Sequence, residues 1–409
     1  MASVAVSENQ DLNLSLARSR GRVGVGAVVV GGDFLGLGIV RSLGRQGIPV
    51  CVVDDERSIA RYSRFTSLNL RVDDLRDPDR AIDSLLEVGA RYRLNGWVLY
   101  PTRDETVAAL AARREELAHV YRLTSPPWDV VRWAWDKRNT YALARMLGIP
   151  TPRTWYPTSP SDLDAVDGDG PFVVKPAIKE HFFYATGAKA WRANDRRQLY
   201  ELYGKATKIA GEGEIMIQEL IPGTGTQQFS YCAFFKDGRA LGSMVVRRRR
   251  QHPPDFGRAS TYVETLDIPE LEQMSLRLLK EIGFYGMVEL EYKLDPQDAR
   301  YKLLDINARA WGYHSIGLAA GVDFPYLVYA DQMGATLEPR RGAAGVRWVR
   351  LLTDTPTALV ELRGRTLDWR SYLASLGRAR VEAVFSLRDP LPWFAELALS
   401  PYLMMKRGF

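Results

Sequence analysis

Residues 287–313 read MVELEYKLDPQDARYKLLDINARAWGY, and this stretch decides the fold. Two segments of alternating polar and apolar residues flank a short polar break at residues 296–300, which predicts an antiparallel hairpin. Its apolar filling comes from Leu290, Leu303, Leu304 and Ile306. The hairpin should therefore present one apolar face and one polar face.

The polar face of this hairpin is rich in acids. Because side chains two apart on a strand share a face, Glu289 and Glu291 should point the same way. Asp305, Asn307 and Arg309 should do so on the second strand. Facing acids repel one another unless a counter-charge is present, and Mg²⁺ commonly binds one or two carboxylates together with phosphate oxygens. The guanidinium of Arg309 suits a phosphate or acyl-phosphate oxygen. The alternative is a solvated hairpin whose acids face water.

Glu-Tyr at 291–292 followed by Asp-Ile-Asn-Ala-Arg at 305–309 resembles the metal-binding end of the ATP-grasp superfamily. That superfamily includes biotin carboxylase, carbamoyl phosphate synthetase and D-alanine–D-alanine ligase. The resemblance implies that Glu291, Asp305 and Asn307 hold two Mg²⁺ ions, or Mn²⁺, under the ATP phosphates. It also implies that Arg309 is catalytic.

Further segments extend the resemblance over residues 25–335. Asp136-Lys137, a helix and the sequence LGIPTP resemble the entry to the ATP-grasp fold, where the lysine reaches the nucleotide phosphates. The strand FVVKP ends at Lys175, a lysine beside apolar residues that needs a counter-charge such as a phosphate. The resemblance makes Lys175 both an ATP ligand and a catalytic residue. The nucleotide-binding residues implied in this way are Lys137, Lys175, Lys189, Glu219, Leu220, Ile221, Gln227 and Gln228.

The first part of the chain predicts a Rossmann-like unit. An apolar run at 25–30, a helix and a second apolar run ending at Asp54-Asp55 indicate a βαβ unit, but its glycines do not form G-x-G-x-x-G. We therefore interpret it as scaffold and part of the acceptor pocket. Thr102 and Asp104 follow a later buried strand, where open α/β sheets bind ligands, so both are candidate substrate residues. A helix N-cap with acids in its first turn is the alternative.

A run of four arginines, residues 247–250, begins a stretch through Gly257 that is rich in polar and turn residues. This composition predicts a loop. Arg248 and Arg250 are candidates for binding the acceptor's carboxylate or the terminal phosphate of ATP. A solvated charged run is the alternative.

Length and pattern together predict an α/β chain with several domains. We expect a Rossmann-like pre-ATP-grasp domain, a two-lobed ATP-grasp domain of α+β type and a C-terminal extension packed on the core. The predicted boundaries are a disordered tail at 1–22, the first domain at 23–124, the ATP-grasp domain at 125–340 with its lid lobe at about 150–220, and the extension at 341–409.

Composition narrows the function classes. The net charge of +6 and pI near 9.2 favour anionic substrates, whereas a single basic run gives no support to nucleic-acid binding.

Cys51 and Cys232 stand apart in apolar runs and are predicted to be buried thiols, which indicates a cytoplasmic protein. No apolar run reaches bilayer length. The segment Trp393–Met405 predicts a helix packed on its own domain, with weak peripheral membrane contact as the alternative. A homodimer is compatible with this picture.

The leading prediction is an ATP- and Mg²⁺-dependent ligase. It would form an acyl phosphate, join an amino-acid-like carboxylate to an amine, and release ADP and phosphate. Within the superfamily the chain most resembles a bacterial group with D-aspartate ligase and carbamoyl phosphate synthetase. A bicarbonate-activating enzyme, a nicotinamide oxidoreductase and a non-catalytic ATP-binding module are the alternatives. The substrates themselves are not specified, because this pocket varies in chemistry on one fold.

Overall fold

A computed structural model describes residues 24–223, 225–252 and 259–407, and within these ranges the chain forms three β-sheets. The predicted tail at 1–22 and residues 253–257 of the predicted loop lie outside the described residues. The side chains of His181 and of 404–407 are also not described.

The first sheet is parallel and has five strands in the order β3-β2-β1-β4-β5. Its first two strands are wholly buried apolar runs apart from the final Asp54, as expected for a parallel sheet covered on both faces. Asp33 caps the first helix by accepting from the Leu35 amide at 3.0 Å. The elements are β1 (Ala27–Val30), α1 (Phe34–Arg45), β2 (Val50–Asp54), β3 (Thr66–Arg71), α2 (Pro78–Tyr92), β4 (Trp97–Pro101), α3 (Asp104–Ala112), α4 (Arg114–Ala118) and β5 (Tyr121–Leu123).

The second sheet is a smaller antiparallel one, with the strand order β6-β9-β7-β8. One of its helices, α7, ends at Gly187, whose φ of 67° is the left-handed conformation that glycine adopts without strain. The elements are α5 (Trp128–Trp135), α6 (Lys137–Met146), β6 (Thr154–Trp155), β7 (Phe172–Pro176), α7 (Glu180–Thr186), β8 (Trp191–Ala193), α8 (Arg196–Ala210) and β9 (Ile215–Glu219).

The third sheet carries the predicted hairpin. Its strand order is β14-β13-β10-β11-β12-β16-β17, and β15 pairs with β11. The Asp237-Gly238 turn between β10 and β11 has φ values of 50° and 75°, as a type I′ hairpin requires. The elements are β10 (Gln228–Lys236), β11 (Arg239–His252), β12 (Ala259–Leu266), α9 (Pro269–Glu281), β13 (Gly286–Asp295), β14 (Arg300–Asn307), α10 (Ile316–Ala320), α11 (Phe324–Gln332), β15 (Arg340–Arg341), β16 (Arg347–Val349), α12 (Leu351–Arg363), α13 (Trp369–Arg378), β17 (Val381–Glu382) and α14 (Leu391–Arg407).

The arginine run is strand, not loop. The predicted loop is wrong for residues 247–252, which continue β11 and pair with β12. These arginines can lie in a strand because carboxylates on neighbouring elements balance their charges. Arg248, Arg249 and Arg250 form ion pairs with Glu291, Glu264 and Asp354. These pairs offset the cost of burying charge, which the sequence pattern alone does not reveal.

One hydrophobic core joins the first sheet to the third and fixes how they meet. It includes Val29, Leu37, Phe234 and Trp311. Cys51 and Cys232 are buried free thiols, as predicted. In the part of the chain that the structure describes, no helix is both long and apolar enough to cross a membrane.

Candidate active site

The hairpin of β13 and β14 brings the predicted oxygen ligands together. Glu291 lies opposite Asp305 in the strand register, and Glu289 lies opposite Asn307. The Asn307 amide donates to Glu289 Oε2 at 3.1 Å and to Glu291 Oε1 at 3.0 Å. The predicted shared face is therefore present, and its acids are held by one amide.

Two cations balance these acids. Lys137 Nζ lies 3.0 Å from Asp305 Oδ1, and Arg248 Nη2 lies 3.3 Å from Glu291 Oε2. Burial alone would raise the pKa of Glu291, but Arg248 and Lys189 lower it to about 2. Burial and the charge of Glu291 raise the pKa of Glu289 to about 7. Glu291 is thus the ionised member of this pair.

The donor set suits a hard cation. Two carboxylates and one amide oxygen are the ligand types that Mg²⁺ takes. Across residues 24–223, 225–252 and 259–407, no group of three or more His, Cys, Asp or Glu side chains has metal-site geometry. A metal at Glu291, Asp305 and Asn307 would therefore need further ligands from phosphate or water, as is usual for Mg²⁺.

A cleft of about 710 Å³ lies between the second sheet and the hairpin. Acids, lysines and the end of β9 all line it. The predicted residues that line it are Lys137, Lys175, Lys189, Glu219, Leu220, Ile221, Gln228, Arg248, Glu291 and Asp305.

Lys175 is buried in this cleft and donates to the Tyr141 hydroxyl at 2.8 Å. Burial, helped by the charge of Lys137, lowers the pKa of Lys175 to about 7. An anion close to Lys175 would reverse this shift by favouring its charged form. The environment of Lys175 therefore favours binding of a phosphate.

The end of β9 is the predicted adenine hinge, and its polar groups have partners within the protein. Glu219 is held by Lys302 at 2.9 Å and Arg153 at 3.2 Å. The Leu220 amide donates to the Pro171 carbonyl at 3.3 Å, and the Ile221 carbonyl accepts from Lys293 at 2.8 Å. The carboxylate of Glu219 is thus paired with two cations, so it positions the hinge and is not free to bind adenine.

Asp104 joins three parts of the molecule. It begins α3 and contacts both Lys179, which precedes α7, and Arg309, which follows β14. Arg309 Nε and Nη2 lie 2.8 Å from the two oxygens of Asp104. Burial would raise the pKa of Asp104, but Arg309 and Lys179 hold it well below its usual range. Asp104 is therefore an ionised anchor for Arg309.

Six predicted residues are not among those that line the cleft. Asp104, Asn307 and Arg309 belong to the hydrogen-bonded group at the hairpin, and the other three have separate contacts. Thr102 is buried and donates to the Val30 carbonyl at 2.8 Å, so it serves the first sheet. Gln227 sits in a short 3-10 turn and does not line the cleft. Arg250 pairs with both oxygens of Asp354 at 2.8 and 2.7 Å. The structure thus gives these three no contact with the cleft.

Glu180 is a candidate that the sequence analysis missed. With Asp104, Lys137, Lys179 and Asp305 it lines a small cavity beside the hairpin. Burial raises the pKa of Glu180 to about 7, and its Oε2 has no hydrogen-bond partner among the described residues. Its position could have indicated a role, because Glu180 lies in the segment 177–188, where many ATP-grasp proteins have a glycine-rich loop.

The comparisons with known proteins agree with this architecture. A family model described as "ATP-grasp in the biosynthetic pathway with Ter operon" matches residues 213–351. The D-aspartate ligase of Enterococcus faecium is 20% identical over 297 residues, which are 69% of this chain and 70% of that protein.

Solved structures share the fold at low identity. The L-amino acid ligase of Bacillus licheniformis is 16% identical, with a TM-score of 0.57 over 76% of this chain and 74% of that one. The biotin carboxylase domain of the Hydrogenobacter thermophilus 2-oxoglutarate carboxylase, in complex with MgADP and bicarbonate, is also 16% identical. Its TM-score is 0.60 over 78% of this chain and 73% of that chain. These neighbours confirm the predicted α/β fold of ATP-grasp type, and the family model adds a match over residues 213–351.

Proposed function

We propose that the chain is an ATP-dependent ligase that joins a carboxylate to an amine through an acyl phosphate. One observation carries this proposal. A single cleft is lined by the end of β9, by Lys137 and Lys175, and by the Glu291–Asp305 pair. We infer that a nucleotide in this cleft would place its base at the hinge and its terminal phosphate at the acids.

The residues present suit this nucleotide. The end of β9 would hold adenine, while Lys137, Lys175 and Lys189 would bind the phosphates as point charges. Glu291, Asp305 and Asn307 would hold Mg²⁺, two ions in the form that we propose, and bound Mg²⁺ would neutralise charge on the terminal phosphate.

The chemistry proceeds in two steps. A carboxylate oxygen of the first substrate attacks the γ-phosphorus, the bond to the bridging oxygen breaks, and ADP leaves. The amine of the second substrate then attacks the acyl carbon and displaces phosphate. The guanidinium of Arg309, positioned by Asp104, stabilises the negative oxygen of the tetrahedral intermediate. The carboxylate of Glu180 accepts the proton that the amine loses.

The relatives favour amino acids as substrates. Two of the similar proteins are, by name, a D-aspartate ligase and an L-amino acid ligase. The bicarbonate bound with MgADP in the 2-oxoglutarate carboxylase domain makes bicarbonate activation the second candidate. In both reactions ATP is cleaved to ADP, so the nature of the acyl acceptor separates them.

Trapping with hydroxylamine tests the proposal. The purified protein is incubated with MgATP, hydroxylamine and single amino acids, and hydroxamate and nucleotide products are measured. One amino acid should give hydroxamate and ADP in equal amounts, because hydroxylamine intercepts an acyl phosphate. A reaction without amino acid is the control. AMP and pyrophosphate in place of ADP, or ADP formed only with bicarbonate, would contradict the amino-acid ligase.

A further inference from the structure

The last described helix is apolar on its exposed side as well as on its buried side. Between Leu391 and Leu403 of α14, every residue that is exposed to solvent is apolar. The one acid in this span, Glu396, is instead buried and accepts from Arg350 at 2.8 Å. The exposed apolar residues are Leu391, Phe394, Leu397, Ala398 and Pro401. A surface helix normally shows polar residues on its exposed side.

Neighbouring segments enlarge this apolar surface. Phe385 and Leu387 lie in the loop before α14, and Leu387 is 86% exposed. Tyr62, on the segment that packs against α14, is 43% exposed. Contiguous apolar exposure of this kind marks an interaction surface more often than chance.

The same region is positively charged. Arg57, Arg61, Arg64 and Arg388 are exposed. Two of them reach opposite ends of α14. The Arg57 guanidinium lies 5.9 Å from the Tyr402 ring centre, and Arg64 Nη1 donates to the Arg388 carbonyl at 3.4 Å.

The acidic side chains of this region are buried and do not reach its surface. Residues 57–65 contain none, and residues 383–403 contain only Asp389 and Glu396. Both are buried, Asp389 against Arg41 at 2.9 Å and Glu396 against Arg350. The exposed part of residues 57–65 and 383–403, here called the α14 face, is therefore apolar and basic.

We propose that the α14 face docks on a membrane surface that carries anionic lipids. Its apolar side chains would enter the boundary between headgroups and acyl chains, with the helix lying in the membrane plane. The exposed arginines would contact the lipid phosphates, and with no exposed acid the negative surface would not be repelled. The proposal does not depend on the ligase activity.

Charge argues against a second copy as the occupant. A two-fold interface places the same patch against itself. On the α14 face it would bring Arg57, Arg61, Arg64 and Arg388 towards their counterparts with no exposed acid to separate them. An anionic membrane supplies the missing negative charge, whereas a copy of this chain does not.

Vesicle sedimentation tests the proposal. The full-length protein is mixed with vesicles of phosphatidylcholine alone, or of phosphatidylcholine with about one third phosphatidylserine. The protein should sediment with the anionic vesicles and remain in solution with the neutral ones. Binding should weaken as salt is raised, because the arginine contribution is screened.

Two variants probe the two halves of the face. The double variant Phe394→Ser, Leu397→Ser should weaken binding to anionic vesicles about tenfold or more, since it removes apolar area. The double variant Arg61→Gln, Arg388→Gln should weaken it by about fivefold or more, from the loss of two charges near the surface. Met146→Ser is the matched control, because Met146 is 73% exposed on α6, away from this face.

Each outcome decides the proposal. Melting curves of the variants should match that of the wild-type protein, as all four side chains are exposed. Failure of the wild-type protein to bind anionic vesicles would overturn the proposal, as would equal binding by the Phe394–Leu397 variant. A wild-type dimer that this variant converts to monomer would assign the face to self-association instead and would also overturn it.

Discussion

Asp305 and Glu291 each contact a cation, Lys137 and Arg248 respectively. A metal ion at these acids would weaken both contacts. ATP phosphates would at the same time offer Lys137 a new partner. Metal and nucleotide binding should therefore be coupled, each raising the affinity for the other.

The side chain of Asp305 tests the proposed metal site. Asp305→Asn keeps the shape but removes the charge, so ATP turnover should fall by about 100-fold or more. Turnover is followed by ADP release with saturating MgATP. Asp298→Asn, in the turn of the same hairpin and 41% exposed, is the control and should retain activity. Normal ADP release by Asp305→Asn would remove this residue from the metal site.

The proposed role of Glu180 predicts how the rate of ligation depends on pH. Burial raises its pKa to about 7, so its proton-accepting form appears as pH rises through that value. The wild-type rate should therefore climb between about pH 6 and 8. Glu180→Gln should lose this rise and be about 100-fold slower.

The pH–rate profile of ligation is the measurement. Glu201→Gln, on α8, is a suitable control because the Glu201 side chain is 55% exposed and pairs only with Lys205 among the contacts described. If the Glu180→Gln variant keeps the wild-type pH profile, a group other than Glu180 must accept the proton of the amine.

At the scale of elements, Asp104 connects α3 to the segment before α7 and to the end of β14. Asp104→Asn would leave Arg309 and Lys179 with reduced compensation in a buried place. We expect a loss of about 3 kcal/mol in the free energy of unfolding, measured by urea titration. Asp83→Asn, with Asp83 67% exposed beside Arg113, should leave stability unchanged. Equal stability of the two variants would show that Asp104 is not a structural link.

The hairpin and the first sheet could be predicted because their patterns are local. Alternation from Met287 to Asn307 fixes strand faces, and continuous apolar runs mark parallel strands. The role of Arg250 could not be predicted in this way. Its partner Asp354 lies 104 residues later, and the ion pair explains why a run of arginines can form a strand. Pairings across such distances leave no periodic signal.

The candidate site shows the same division. Glu291, Asp305 and Asn307 follow from spacing along two adjacent strands. Asp104 was recognised, but as a substrate residue, because its contacts with Lys179 and Arg309 depend on how separate sheets pack. Glu180 was missed, since an acid on a short helix has no pattern that separates it from a surface residue.

At the scale of the whole molecule, the acids at the end of β2 in the first sheet are not available to a dinucleotide's ribose. Arg103 pairs with Asp54 at 3.0 Å and Asp55 at 2.8 Å, so both acids at the end of β2 are occupied. Asp54 also accepts from the Gly32 amide at 2.6 Å. A ribose would have to displace Arg103 from two carboxylates.

Nucleotide preference follows from this arrangement. MgATP should stabilise the protein against heat, by about 2.7 kcal/mol at one hundred times its dissociation constant, whereas NAD should not. Thermal melting with each ligand and calorimetry are the measurements, with ATP in the absence of Mg²⁺ as the control. Tighter binding of NAD than of MgATP would restore the oxidoreductase alternative.

The buried contact between Arg41 and Asp389 has a consequence for synthesis of the chain. These residues are 348 positions apart, and Arg41 belongs to α1, an early element of the first sheet. During translation α1 must wait for this partner, because Asp389 is made 348 residues after Arg41. The packing of α1 is therefore completed only after Asp389 has been made, and until then Arg41 lacks this carboxylate partner.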